Sequence, residues 1–329
     1  MNVTRVQANH WATQKERGSF AMMKLTAFAV RHLGRRTMQP VLHLVVLYFF
    51  VFGRARRHVR QYQAYLAAWS GRADLRPTTR RVFGQFMAFA DSLLDRLDVW
   101  RGTLGAAQVS LHDPADVRGQ LHRSQGGERG QLLVCTHLGN LDVCRALAEM
   151  EEKVPLNVLV HNRHAAHFNR LQSEAGDRQL RLLQVSEVDA ALMLDLSQRL
   201  DRGEWIAIAG DRIPLQDGRR VLVDFLGHRA AFAQGPWLMA GLLRCPVHLM
   251  CCIKIGGRYQ IRLEPFLDAP SWERGQREQA IAEWAQRYAD RLAQLCLLAP
   301  WQWFNFYAYW QAENESEGDA DASPRRAAR

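Results

Sequence analysis

The chain has 329 residues, 48% hydrophobic and 23% charged, enough for one large core or two modest ones. A formal net charge of +10 and a pI of about 9.7 point to an anionic partner, whether nucleic acid, anionic lipid or an acidic protein. The basic residues gather around apolar segments with no nucleic-acid motif, which argues against the first of these, and the six cysteines (135, 144, 245, 251, 252 and 296) form neither a CxxC pair nor a ligand quartet, which argues against a disulfide scaffold or zinc ribbon.

Residues 1–19 are polar, and no secretory signal is visible, since the first apolar segment starts late and lacks a cleavage site. From Phe20 the chain turns apolar and is interrupted at His32, Arg35 and Arg36. It then runs from Met38 to Phe52 with only Pro40 and His43 to relieve it. That run is shorter than the roughly 20 residues that span a bilayer. Basic residues bracket it on both sides: Lys24, Arg31, Arg35 and Arg36 before, Arg54, Arg56, Arg57 and Arg60 after. Such symmetry suits a segment that dips into one leaflet with its arginines on lipid phosphates. The plainer alternative is a buried core helix.

Residues 78–100 carry Val82, Phe83, Phe86, Phe89, Leu93, Leu94 and Leu97 on one broad helical stripe. From about 103 to 265 short apolar runs alternate with helical patterns. Strands are expected at 131–136, 155–161, 180–185, 204–210, 221–225, 246–254 and 258–264, and helices at 140–152, 164–175, 188–202 and 233–243. The alternation predicts an α/β fold, a mostly parallel central sheet flanked by helices, with the N-terminal membrane-associating helical segment set before it. The last two strands meet across Gly256-Gly257 as an antiparallel hairpin. A long helix over 273–298 places Ile281, Trp284, Tyr288, Leu292 and Leu295 on one side and stops at Pro300. An aromatic cluster (Trp301, Trp303, Phe304, Phe306, Tyr307, Tyr309, Trp310) follows, and from Glu313 the composition is that of a disordered tail. The expected organisation is an N-terminal segment over 1–60, a main domain over 61–312 and a tail over 313–329.

Three places carry candidate chemistry. The first is His137 to Asp142, where an apolar strand (Leu132, Leu133, Val134, Cys135) runs into a turn at Gly139 and Asn140 and then a helix from Leu141. A histidine at the end of a probable parallel strand sits where open α/β sheets place their chemistry. With His137 in the turn and Asp142 in the helix, the acid can fold back onto one ring nitrogen and leave the other as a general base. The bland alternative is a loop histidine and an acid stabilising a helix N-terminus. The second is Gly210-Asp211-Arg212, again at a strand end, followed by Phe225 to Pro236. There Gly235 opens a helix whose free N–H groups could hold an anion or merely be capped. The third is His161-Asn-Arg-His164-Ala-Ala-His167. Its three histidines lack the converging ligands that zinc requires, whereas Arg163 could neutralise an anion or an oxyanion, or be a solvated surface residue.

Taken together, these residues resemble the lysophospholipid acyltransferase superfamily, in the branch of the lauroyl and myristoyl acyltransferases of lipid A biosynthesis. The likeness rests on His137-Leu-Gly-Asn-Leu-Asp142, Val160-His-Asn-Arg-His164, Gly210-Asp211-Arg212, the FLG-x-x-A…GP pattern from Phe225 to Pro236, and Pro300-Trp-Gln-Trp-Phe304. It covers roughly residues 20–310. Asp142 stands where the lipid A enzymes commonly carry Glu, and Gly210-Asp211-Arg212 where they often show Asp-Gln-Asp, which places the chain near the acyltransferases of aryl polyene and related glycolipid pathways.

The resemblance implies transfer of a fatty acyl group from acyl carrier protein or coenzyme A to a lipid hydroxyl, at the cytoplasmic face of the bacterial inner membrane, with no cofactor, metal or nucleic acid. His137 would be the general base and Asp142 its orienting acid. The oxyanion would be met by Arg163, Arg212 or backbone N–H groups near Gly139. Asp211 would orient an arginine or bind acceptor hydroxyls, and Gly139, Asn140 and Gly235 would line the substrate site. Two rivals are a lysophosphatidate acyltransferase, which usually has a Phe-Pro-Glu-Gly block absent here, and a non-catalytic basic lipid-binding protein.

Overall fold

The computed structural model describes residues 37, 39–100, 108–124, 126–141, 143, 144, 155–160, 180–184, 189–212 and 220–310. Its centre is a seven-stranded sheet. In chain order the strands are β1 (Val109–His112), β2 (Leu132–Gly139), β3 (Leu156–Val160), β4 (Leu180–Gln184), β5 (Trp205–Ala209), β8 (Val247–Ile255) and β9 (Arg258–Leu267), in spatial order β1-β9-β8-β2-β5-β3-β4. Strands β2, β3, β4, β5 and β8 run parallel to one another, while β9 returns antiparallel to β8 and carries β1 parallel to itself. Strand β2 sits between β8 and β5 with nearly every residue buried, which is why it reads as an unbroken apolar run rather than an alternation. The β8–β9 hairpin turns at Gly256 and Gly257, whose φ values of 58° and 81° are those that a two-residue turn demands.

The segment at 221–225 departs from expectation. It forms β6 (Arg220–Phe225), which pairs antiparallel with β7 (His228–Ala233) in a separate two-stranded sheet. The tight Leu226-Gly227 turn, both residues at positive φ, leaves no room for a crossover that could bring β6 into the parallel sheet. Strands β1 and β7 were also not expected: β1 is four residues long, and β7 (HRAAFA) lacks an alternating pattern.

Among the described residues the helices are α1 (39–52), α2 (Ala55–Ser70), α3 (Thr79–Trp100), α4 (Val117–Ser124), α5 (Ala190–Asp201), α6 (Gly235–Leu243) and α7 (Arg277–Leu298), the expected helix over 164–175 and most of that over 140–152 lying outside them. Helix α5 begins where Asp189 accepts a hydrogen bond from Leu192 N–H. The last helix starts four residues later than expected, after Gly275 at φ 86°. Helix α1 buries one stripe only. Val46 lies inside, with Leu42 and Phe50 packed around it, and Phe50 meets Phe83 and Phe86 of α3 edge-on at 5.4 and 5.5 Å. These three positions are four apart and share a face. The opposite face is bare: Leu44 and Phe52 are 67% and 70% exposed, and Val41, Val45, Leu47, Tyr48, Phe49 and Val51 are exposed beside them. Among the described residues no helix is long and apolar enough to cross a membrane.

The main core lies between one face of the sheet, α7, the β6–β7 hairpin and the C-terminal segment, with Tyr62, Phe225, Phe232, Trp237, Tyr288, Trp303, Tyr309 and Trp310 in it. The segment after α7 runs back across the sheet and forms a bridge between Trp303 and Leu138 of β2. Residues 1–36, the three histidines at 161, 164 and 167, and the tail lie outside the described residues.

Candidate active site

Strands β2 and β5 are adjacent and parallel, with Cys135 level with Ala209. His137 and Asp211 each lie two residues further along, so they emerge side by side at the carboxyl edge of the sheet. His137 Nδ1 and Asp211 Oδ1 are 2.7 Å apart. The Asp211 side chain is 1% exposed and that of His137 31%. Asp211 Oδ2 accepts three more hydrogen bonds: from Thr136 Oγ1 (2.8 Å), from the His137 backbone N–H (2.7 Å) and from the Trp303 indole N–H (3.1 Å).

Burial by itself would raise the Asp211 pKa. The His137 ring, with its charge and its hydrogen bond, then Thr136 and the Arg212 charge outweigh burial and bring it down to about 2. An ionised carboxylate only accepts, so Nδ1 carries a proton, and in the neutral ring the lone pair lies on Nε2. Nε2 has no hydrogen-bond partner among the described residues.

Asp142 was the expected partner of this ring. One ring nitrogen, Nδ1, meets Asp211, which strand register sets beside the ring; Asp142 itself lies outside the described residues, as does Arg163. Asp211 was expected to serve an arginine or the acceptor hydroxyls; its two oxygens meet His137, Thr136 and Trp303, and the Arg212 charge acts on it as well.

The backbone N–H groups of Leu138, Gly139 and Asn140, expected as oxyanion donors, are already engaged within the protein. Leu138 N–H donates to Thr136 Oγ1 (3.3 Å), Gly139 N–H to Gln302 C=O (2.8 Å) and Asn140 N–H to Cys252 C=O (2.7 Å). Strand β2 continues through a bulge to residue 139, and its neighbours take these donors. Gly139 is needed for its backbone: φ is 80°, and a Cβ would fall 1.8 Å from Cys252 O. Asn140 is buried, with its side-chain amide donating to Ser92 C=O at 2.8 Å, so it braces the turn against α3 rather than facing a substrate. The same region is tied by Asp95 of α3, which sits 2.7 Å from Lys254 Nζ and accepts from the Tyr259 hydroxyl at 2.5 Å. Burial, then the Asp95 hydrogen bond, pushes the Tyr259 hydroxyl far up, so it stays a donor.

Arg212 is half-buried, and its Nη2 reaches Phe304 C=O at 3.4 Å. Phe304 N–H in turn donates to His137 C=O at 3.2 Å, so the guanidinium stands one residue away from the His137 backbone. Gly235 opens α6, where Trp237 and Leu238 N–H both return to Gln234 C=O. Among the described residues no hydrogen bond links it to His137. Among the described residues no group of three metal-ligating side chains is assembled.

Thr136 and Trp303 were not singled out from sequence. Thr136 is adjacent to the histidine, but nothing marks it as a donor to an acid 75 residues away. Trp303 belonged to a noted aromatic cluster, and no pattern tells which of those rings donates.

The family model described as bacterial lipid A biosynthesis acyltransferase matches residues 106–312, a stretch that holds β1 to β9, His137, Asp211 and Trp303. No curated protein matches.

Proposed function

Since the chain belongs to the bacterial lipid A biosynthesis acyltransferases, we propose that it moves a fatty acyl group from a thioester of acyl carrier protein or coenzyme A to a hydroxyl of a lipid A-type or related glycolipid. The observation that carries this reading is the His137–Asp211 pair, a partly exposed imidazole whose Nδ1 rests on a buried ionised acid and whose Nε2 has no partner among the described residues. That is the arrangement of a general base poised for an alcohol.

In the proposed reaction Nε2 takes the proton of the acceptor hydroxyl as its oxygen attacks the thioester carbonyl carbon. Asp211 keeps the ring oriented and stabilises the imidazolium that forms. The tetrahedral oxyanion collapses, the carbon–sulfur bond breaks, and the departing thiolate takes the proton from Nε2. The products are an ester and a free thiol. The thioester is already activated, so no covalent enzyme intermediate is required. Arg212, whose charge acts on Asp211, is proposed to offset the oxyanion charge. Arg163, outside the described residues, shares that proposal.

The exposed face of α1 supports a site at a membrane surface. Its apolar side chains stand exposed over 41–52, and the exposed Arg54, Arg56, Arg57 and Arg60 follow it directly. We place the protein on the cytoplasmic face of the bacterial inner membrane, with its apolar face in the leaflet and its arginines at the phosphates. The net charge of +10 suits that surface and an acidic carrier protein alike.

His137→Ala is the test. The variant should release no thiol from an acyl thioester in the presence of a lipid acceptor, while still binding anionic vesicles. Wild-type turnover by the purified variant would end the proposal.

A further inference from the structure

The sheet places His137 beside Asp211, but two of the three donors on Asp211 Oδ2, Thr136 Oγ1 and His137 N–H, belong to the same strand as the imidazole. The third, the Trp303 indole, comes from a different part of the chain. The C-terminal segment that carries it is fastened across β2. Gly139 N–H donates to Gln302 C=O at 2.8 Å, and Phe304 N–H to His137 C=O at 3.2 Å. Gln85 Nε2 holds Trp303 C=O at 2.8 Å, and the Gln302 side chain bonds both Lys254 N–H (2.8 Å) and Lys254 C=O (2.7 Å). The indole thus reaches the acid from a rigid support.

Packing alone does not explain this arrangement. Trp237, buried in the same core, has an indole N–H with no partner, so this core tolerates a tryptophan whose donor does nothing. Trp303 is equally buried, yet its donor is spent on the acid behind the imidazole.

We propose that Trp303 is a positioning residue for acyl transfer: its indole N–H holds Asp211 Oδ2, so that Oδ1 stays aimed at His137 Nδ1. This rests on the His137–Asp211 pair being the catalytic one. A hydrogen bond to a carboxylate also spreads its charge. Without the indole donor, the carboxylate holds the imidazolium more tightly, and Nε2 becomes available as a base only at higher pH. The other polar groups facing Asp211 are His137, Thr136 and Cys135 from β2, Arg212 from its own loop, Tyr288 and Cys296 from α7, and Tyr307 and Tyr309 from the C-terminal segment. None of them is altered by a change at Trp303 Nε1.

The test uses the full chain with an acyl-coenzyme A donor and a lipid A-type acceptor, and follows thiol release. Trp303→Phe keeps an aromatic ring and deletes the donor. A second variant carries benzothienylalanine at position 303, which replaces the N–H by sulfur in nearly the same shape. Both should lower kcat about tenfold at unchanged KM and move the acid limb of the pH profile up by about half a unit. Trp301→Phe, on a half-buried ring packed at the edge of the same core, should leave rate and profile as in the wild type. A wild-type rate and profile in the benzothienylalanine variant overturns the inference. So does a loss of thermal stability with the acid limb unmoved, which is the mark of a packing residue. Activity surviving in His137→Ala would instead overturn the underlying reading, whatever Trp303 does.

Discussion

Asp211→Asn keeps the shape of the side chain and removes its charge. In the native protein four donors converge on this carboxylate, two of them within 2.7 Å, and they hold its pKa at about 2 against an ordinary 3.8. A depression of nearly two units corresponds to about 2.5 kcal/mol favouring the ionised form. The amide loses that term twice over. It no longer stabilises the imidazolium, and one rotamer turns an NH2 toward Nδ1–H, which forces the opposite tautomer and removes the base from Nε2. The loss of an orienting acid in this role costs up to about 10⁴-fold in kcat. A fall of at least about 10³-fold is therefore expected, with KM little changed because the acid touches no substrate. Thiol release from an acyl thioester, followed over pH, measures it. Asp142→Asn, assayed in parallel, separates the two acids. Full activity in Asp211→Asn together with an inactive Asp142→Asn would refute the reasoning. The same depression predicts a stability signature. Because the folded pKa lies below the unfolded one, Asp211 contributes stability that is complete above about pH 4 and disappears as pH falls through about 2. The unfolding free energies of wild type and Asp211→Asn should therefore converge as the solution is acidified across that window.

Two further outcomes follow from the turn and from the exposed helix. Gly139→Ala places a Cβ 1.8 Å from Cys252 O at φ 80°, so either β2 or β8 must move; a loss of about 3 kcal/mol or more in denaturant unfolding is expected, with activity falling alongside it. Leu44→Asp with Phe52→Asp puts two charges on the bare face of α1, away from the stripe that packs on α3. Binding to anionic vesicles should weaken at least tenfold in a flotation assay, while the melting temperature moves by no more than a few degrees. Unchanged vesicle binding would remove the membrane role from this helix.

The central strands were legible because β2, β3, β5 and β8 are short apolar runs bounded by turn residues, and a strand buried on both faces leaves that trace. Strand β6 has a similar trace, and the sequence does not show whether such a run joins the large sheet or pairs with its own neighbour. That depends on a two-residue turn at Leu226-Gly227, where a leucine takes the positive φ that usually marks a glycine. Helix α1 was legible in its apolar run. Its single buried stripe was not, because every position in the run is apolar and periodicity cannot separate the faces.

The active-site pairing shows a more general limit. His137 and Asp142 are close in sequence, so local geometry suggests a partnership. His137 and Asp211 are 74 residues apart and are joined only by the register of two strands. Yet that register was partly written in the chain. The stretches that pair, 132–135 and 206–209, are small or apolar, and each is followed two residues on by a polar group that can hold a proton. In a parallel pair with level ends, equal offsets put the two groups on the same side of the same edge. What the chain alone does not give is that β5, rather than β3 or β8, lies next to β2 on that side. Adjacency is decided by which helices cover which face, a property of the whole core. Once β5 is known to be the neighbour, the acid that steers His137 follows from counting two residues past Ala209.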